Sequence, residues 1–321
     1  MPNQILLTGA GFSRNWGGWL ANEAFEYLLG STFVDDALRQ MLWHSKEKKA
    51  GFEDTLSTLQ AAYLSRKDYQ IEKKLRALTE AVKAMFAEMG EGYEYSSFEF
   101  VGSTGDSTVR SFLSRFDAIY TLNQDTLLEQ HYIGGAISSP GKACPGISPK
   151  NAELQIGART YPVYGPTQHK FELGEYQPYI KLHGSFNWMQ DEQNLLILGG
   201  GKAASIAQFP LLTWYYDLFR STLRQPETRL MVIGYSFNDQ HINQAILDAA
   251  EASNLRVFII DPAGVDVLDK RPAEALVRER PYELLDKLSP RIIGASRRGF
   301  REIFGGDRVE HAKVMRFFKQ V

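Results

Sequence analysis

Three short stretches carry residue types able to do chemistry: Leu6-Leu7-Thr8-Gly9-Ala10-Gly11-Phe12-Ser13, Thr121-Leu122-Asn123-Gln124-Asp125 and Lys181-Leu182-His183-Gly184-Ser185. Each follows an apolar run that reads as a buried strand, and open α/β sheets receive ligands at the carboxyl ends of their strands. Glycines after the first strand let the backbone approach a pyrophosphate, with the N–H groups of a helix start facing its charge. Position 14 is Arg, so the G-x-G-x-x-G pattern is incomplete and the turn reads equally as a tight βα connection. Ser13 can bond a phosphate or cap the helix. Asn123 supplies an amide that can hold a carboxamide or orient water, although Asn at a strand end is also an ordinary turn residue. Asp125 can orient a ribose hydroxyl or start the helix that follows. His183, neutral near pH 7, can accept a proton from a ribose hydroxyl or a water.

A second group of residues lies further along. Gly234-Tyr235-Ser236-Phe237 again joins a strand to a helix and forms a second candidate phosphate or ribose turn. Asp261 ends the last strong strand, where carboxylates bind ribose hydroxyls in doubly wound folds. Asp239 reads as a helix cap. Gly199-Gly200-Gly201-Lys202 lacks the outer glycine and the following Ser/Thr of a P-loop and is set aside. His44, His131, His169, His241 and His311 show no evident partners and are assigned no chemistry.

Positioning these groups requires strands, which the sequence supplies at 4–7, 116–121, 178–182, 230–234 and 256–261, short and rich in β-branched residues as buried parallel strands are. Phe52, Leu56, Leu59 and Tyr63, and then Leu75, Leu78, Val82, Met85 and Met89, keep helical spacing. They place a mainly helical insertion over about 21–110. Helices at 211–223 and 239–252 separate the later strands. The stretch 134–176, rich in Gly, Pro and Ser, reads as an irregular functional loop, an embedded hairpin or a mobile segment. Residues 290–321 read as two helices joined at Gly305-Gly306. The fold expected is a single α/β domain over 1–321, with a doubly wound, mostly parallel, Rossmann-like sheet, a helical insertion and a helical C-terminal tail.

Composition narrows the function. The 321 residues are 44% hydrophobic and 23% charged, with net charge -2. That charge argues against a general nucleic-acid surface, and Arg297, Arg298 and Arg301 read as a solvated helix face. No apolar run reaches the ~20 residues that span a bilayer, and Met1-Pro2-Asn3-Gln4 has no charged leader, so a cytoplasmic protein is expected. A single cysteine, Cys144, allows neither an intrachain disulfide nor a four-cysteine zinc site.

Gly-Ala-Gly-x-Ser, Thr-x-Asn-x-Asp, the strand-end His-Gly, Gly-Tyr-Ser-Phe after a strand and the final strand-end Asp resemble, in this order, the NAD-binding domain of the sirtuin family. The resemblance implies Gly9, Ala10, Gly11 and Ser13 at the pyrophosphate, and Asn123 and Asp125 at the nicotinamide and its ribose. It implies His183 as catalytic base, the Gly234–Ser236 turn at phosphate or ribose, and Asp261 at the adenosine ribose. Deacylating sirtuins carry paired zinc cysteines after His-Gly and a Gly-Ile-Pro-x-Phe-Arg segment after the glycine turn. This chain has no cysteine over 186–229 and reads Trp16-Gly17-Gly18-Trp19 instead. It is more similar to the zinc-free sirtuin-like domains of bacterial antiphage defence, which hydrolyse NAD. The expectation is an NAD glycohydrolase needing no metal, with Asn123 and His183 catalytic, no membrane association and no direct nucleic-acid binding. It is expected to be gated by homo-oligomeric assembly or by a separately encoded partner such as a HerA-type ATPase or an Argonaute-like protein. The alternatives are an NAD-dependent protein deacylase or ADP-ribosyltransferase, and a non-catalytic NAD or ADP-ribose sensor.

Overall fold

The computed structural model describes residues 3–48, 51–134, 138–139, 141–167, 172–269 and 283–319. Strand β1 (Gln4–Thr8) runs through Gly9 into the short helix α1 (Ala10–Ser13), followed by α2 (Ala21–Gly30), α3 (Asp36–Glu47), α4 (Phe52–Arg66) and α5 (Tyr69–Glu94). These helices form where the apolar spacing required: Phe52, Leu56 and Leu59 of α4 and Leu78, Val82, Met85 and Met89 of α5 are all buried. The Asp68 side chain starts α5 by accepting from the Gln70 and Ile71 amides at 2.8 and 3.1 Å. Helix α6 (Val109–Leu113) leads to β2 (Ala118–Thr121) and α7 (Leu127–His131).

Of the readings given to 134–176, the embedded hairpin is the one its described residues form. After β3 (Ser138–Ser139) and β4 (Lys142–Ala143), β5 (Ile147–Ile156) and β6 (Arg159–Pro166) pair antiparallel. With β8 (Gly184–Gln190) and β9 (Gln193–Leu196) they make a four-stranded sheet in the order β5-β6-β8-β9. The hairpin strands β5 and β6 are mostly polar and alternate weakly, so periodicity alone does not single the hairpin out from a loop.

The main sheet has the order β12-β11-β10-β1-β2-β7-β4-β3, comprising also β7 (Gln177–Lys181), β10 (Arg229–Ile233), β11 (Arg256–Ile260) and β12 (Ile292–Ser296). Every pairing from β12 to β4 is parallel, and only β3 against β4 is antiparallel. The remaining helices are α8 (Lys202–Ile206), α9 (Pro210–Leu223), α10 (Gln240–Ala252), α11 (Glu283–Leu288), α12 (Phe300–Phe304) and α13 (Arg308–Met315). The tail is therefore corrected: it begins with an edge strand, β12, half-exposed and carrying no continuous apolar run, before its two helices.

Register shows that both faces of the sheet are covered. Leu7, Tyr120, Val232 and Ile259 share one face, and the Tyr120 ring lies 4.9 Å from Phe219 of α9. Leu6, Ile119, Met231 and Phe258 share the other, where Phe258 meets Phe317 of the tail at 6.1 Å. Burial on two faces explains the near-continuous apolar strands. Phe300 of α12 joins tail to turn, contacting Phe12 of α1 at 5.3 Å, Phe112 of α6 at 5.5 Å and Phe304 at 4.4 Å. Phe300→Ala is expected to cost about 3–5 kcal/mol in chemical denaturation. A change under 1 kcal/mol, roughly the scale of a surface substitution, would show the tail to be peripheral. Among the described residues no helix is long and apolar enough to cross a membrane.

Candidate functional site

From β1 the chain builds outward to β2 and β7, then returns to place β10 on the opposite side of β1. The connections diverge between β1 and β10, and such a switch point opens a crevice at the carboxyl ends. The Gly9–Ser13, Leu122–Asp125, Leu182–Ser185, Gly234–Phe237 and Asp261 segments all leave that edge, because their strands are parallel and in register.

At the switch point the two glycine turns interlock. The Gly9 amide donates to the Ile233 carbonyl at 3.0 Å and the Gly11 amide to the Gly234 carbonyl at 2.9 Å. A Cβ on Gly11 would stand 2.7 Å from the Gly234 Cα, and Gly234 itself has φ +62. This modifies the expectation for the turn. Two of its N–H groups hold β10 rather than facing a ligand, and the exposed Ala10 is its outermost residue.

Asn123 is buried, and its Nδ2 donates to the Gly9 carbonyl at 3.0 Å and to Ser13 Oγ at 2.9 Å. Its backbone N–H rests on Thr121 Oγ1, which in turn accepts from Thr8 Oγ1 at 2.8 Å. With both N–H groups committed, the group the amide can offer a ligand is its carbonyl oxygen. Asp125 accepts from the Leu127 amide at 3.0 Å and so starts α7, while Ser13 also bonds its carboxylate. Burial pushes the Asp125 carboxyl up, opposed by the Lys181 ammonium, the Leu127 amide and Ser13.

Behind these residues lies a charged cluster that sequence reasoning missed. Lys181, fully buried, donates to the Asp125 carbonyl and to Glu129 Oε1 at 2.6 Å, and the Tyr179 hydroxyl reaches Glu129 Oε2 at 3.1 Å. Burial raises Glu129 and Lys181 opposes it. The lysine opens the His-Gly motif, but no sequence signal pairs it with a glutamate 52 residues away.

His183 sits where β7 turns into β8 and is 1% exposed. The following Gly184 has φ +70, and a Cβ there would fall 1.8 Å from the Leu195 carbonyl oxygen of β9, so only glycine makes this turn. His183 Nε2 lies 3.2 Å from Nε2 of His241. Burial, helped by the nearby Lys202 ammonium, pushes the His183 imidazole down to about 3, with Asp239 opposing. The ring is thus neutral at neutral pH, free of a proton but only a weak base while it stays buried. An unfolded histidine takes its proton near pH 6.5 and the folded one does not, so folding stability should fall as pH drops from 6.5 toward 3. Stability measured across that window should decline less steeply in His183→Gln; an unchanged slope would count against a buried neutral ring.

Two residues given other readings belong to this neighbourhood. Asp239 precedes α10 but makes no side-chain cap; it pairs with Lys202 at 2.8 Å. Lys202, from the glycine-rich turn set aside as no P-loop, also pairs with Glu53 of α4 at 3.0 Å, and Ser57 of α4 bonds the Gly200 amide. Burial opposes the Asp239 charge, yet the imidazoles and Lys202 hold its carboxyl low. His241, read from the sequence as having no evident partner, contacts His183, 58 residues away. His169 lies outside the described residues. The ligand atoms of His183, Asp239 and His241 come within 4.8 Å of one another, the one such grouping among the described residues. Lys202 already supplies a cation to its carboxylate.

Ser236 is exposed on the β10 turn, and the half-buried Asp261 accepts from the Ala263 amide at 2.8 Å at the end of β11. The basic spot is paired: Arg297 with Asp266, Arg298 with Glu302, while Arg301 grips the Asn15 carbonyl just after the glycine turn. A separate groove of about 940 Å³, lined by Tyr27, Glu88, Arg159 and Tyr161, holds none of the predicted site residues.

A family model described as a SIR2-like domain matches residues 117–284, slightly more than half of the chain, from the lead into β2 to the start of α11. SIR2-like domains use NAD. No curated protein matches the chain.

Proposed function

Because the chain belongs to the SIR2-like family, we propose that it is an NAD glycohydrolase, cleaving the nicotinamide–ribose bond to give nicotinamide and ADP-ribose. One observation carries the reading. A doubly anchored Asn123 and a buried, neutral His183 leave the same sheet edge beside the β1–β10 switch point. In this reading Gly9, Ala10, Gly11 and Ser13 line the pyrophosphate, Asp125 the nicotinamide ribose, Gly234 and Ser236 a phosphate or ribose, and Asp261 the adenosine ribose.

The chemistry needs little from the protein beyond enclosure and proton handling. Nicotinamide departs neutral from a cationic ring, and the ribose passes through an oxocarbenium-like state that a dry, preorganised site stabilises. The Asn123 carbonyl oxygen would accept from the attacking water or from the carboxamide N–H₂. His183 would take the proton of the water or of a ribose hydroxyl. An unrestrained enzyme of this kind would drain NAD, so the proposal includes gating by assembly or by a partner, as in the antiphage effectors its motifs resemble.

The test is product analysis after incubating the purified chain with NAD. Nicotinamide and ADP-ribose in equal amounts are expected. Turnover that depends on an acylated peptide and yields acyl-ADP-ribose would replace the proposal with a deacylase; binding without products, both alone and with candidate partners added, would leave a sensor.

A further inference from the structure

We propose that His241 is the second member of a proton-carrying pair: it orients the His183 ring and accepts the proton that His183 removes from the substrate, passing it to solvent. The inference rests on the hydrolase reading above and names a relay residue for it.

The stoichiometry creates the need. When NAD⁺ and water become nicotinamide and ADP-ribose, the C1′–N bond breaks with its electron pair going to the nicotinamide nitrogen. A C1′–O bond forms, one water O–H bond breaks, and one proton must leave per turnover. His183 is 1% exposed and poorly able to hold that proton, since burial disfavours the charged ring. Among the described residues its Nε2 faces one titratable atom at hydrogen-bond distance, His241 Nε2 at 3.2 Å. His241 is only partly buried, in the first turn of α10, so the line from His183 through His241 runs from the sealed interior toward water. The His183 ring also bonds the Leu122 backbone, so its Nε2 both takes the substrate proton and hands it on, and His241 can receive it on Nε2 while releasing another from Nδ1.

The surroundings hold His241 in place. The Tyr216 hydroxyl of α9 donates to the His241 carbonyl at 2.9 Å, with the two rings 5.6 Å apart. Burial, with Lys202 of α8, pushes the His241 imidazole down, while Asp239, two residues earlier, favours the protonated ring. Glu53 of α4 lies behind Lys202 and shares its charge. The described groups facing His241 are thus one imidazole, one carboxylate, one ammonium and one phenol. Their balance permits a transient imidazolium there without a standing one.

The experiment compares NAD turnover by the parent, His241→Ala and His241→Gln across pH, with and without added imidazole. For His241→Ala, kcat should fall about 10- to 100-fold with little change in KM, less than the ~10²–10⁴-fold of a group handling the substrate proton directly. Imidazole buffers should restore turnover, most effectively those whose pKa lies near the working pH. The Gln side chain can orient His183 but cannot relay, so His241→Gln should stay slow. Full activity in His241→Gln, or an unmoved pH profile in His241→Ala, would overturn the relay. A parent that releases no nicotinamide, either alone or assembled with candidate partners, would overturn the hydrolase reading and the relay with it. In that event ring-nitrogen NMR still judges the pair, because His183 signals unchanged by His241→Gln would refute the contact as well.

Discussion

Asn123→Ala and His183→Ala should each lower nicotinamide release by ~10²–10⁴-fold, the range for removing a positioned proton-transfer or water-orienting group. The two losses should differ in kind. Asn123 is a structural tie as well as a candidate catalytic group, for its Nδ2 joins the Gly9 carbonyl and Ser13 Oγ. Its removal leaves buried acceptors unpaired at a cost of about 1–3 kcal/mol, so a lower melting temperature should accompany the lost activity. His183→Ala removes a ring that folding holds neutral, so it should relieve part of the acid sensitivity of the fold. Rates are therefore compared at a pH and temperature where unfolding measurements show every variant folded. Turnover that survives both changes would refute the site.

Gly234→Ala should be the most damaging substitution outside the chemistry. A Cβ at Gly234 would lie 2.3 Å from the Gly11 carbonyl carbon and 2.4 Å from the Phe12 nitrogen, at φ +62. Gly11→Ala meets the Gly234 Cα at 2.7 Å from the other side. Backbone stands on both sides, so no side chain can turn away; the β1 and β10 turns must separate and the Gly11–Gly234 hydrogen bond must stretch. A loss of about 1–3 kcal/mol is expected in denaturant unfolding, with NAD binding by calorimetry weakened further, since this contact shapes the crevice. Gly30→Ala is the matched control. It ends α2 with nothing within 4 Å of its Cβ and should be neutral or slightly stabilising. Equal behaviour of the three variants would remove the interlock from the account of the site.

The elements that carry the candidate site were legible because two-sided burial writes itself into sequence. The interior residues of β1, β2, β10 and β11 are all buried, and they appear as short apolar runs ending in Gly9, Asn123, Gly234 and Asp261. Parallel pairing then sends every strand-end motif to one edge, so their order along the chain was enough to gather them. Strand β12 escaped because an edge strand is half-exposed, and the β5–β6 hairpin stayed one alternative among three because its strands are mostly polar.

What folding alone decided is which polar groups meet. The His183–His241 contact spans 58 residues, the Asn123–Gly9 bond 114, and Lys202 reaches both α4 and the head of α10. Sequence periodicity records which face of its own element a residue occupies, over a few neighbours. It does not record which residue of another element arrives opposite. Burial sets the charge state of His183 and those neighbours adjust it, and both exist only once the sheet and the helical insertion have closed around it.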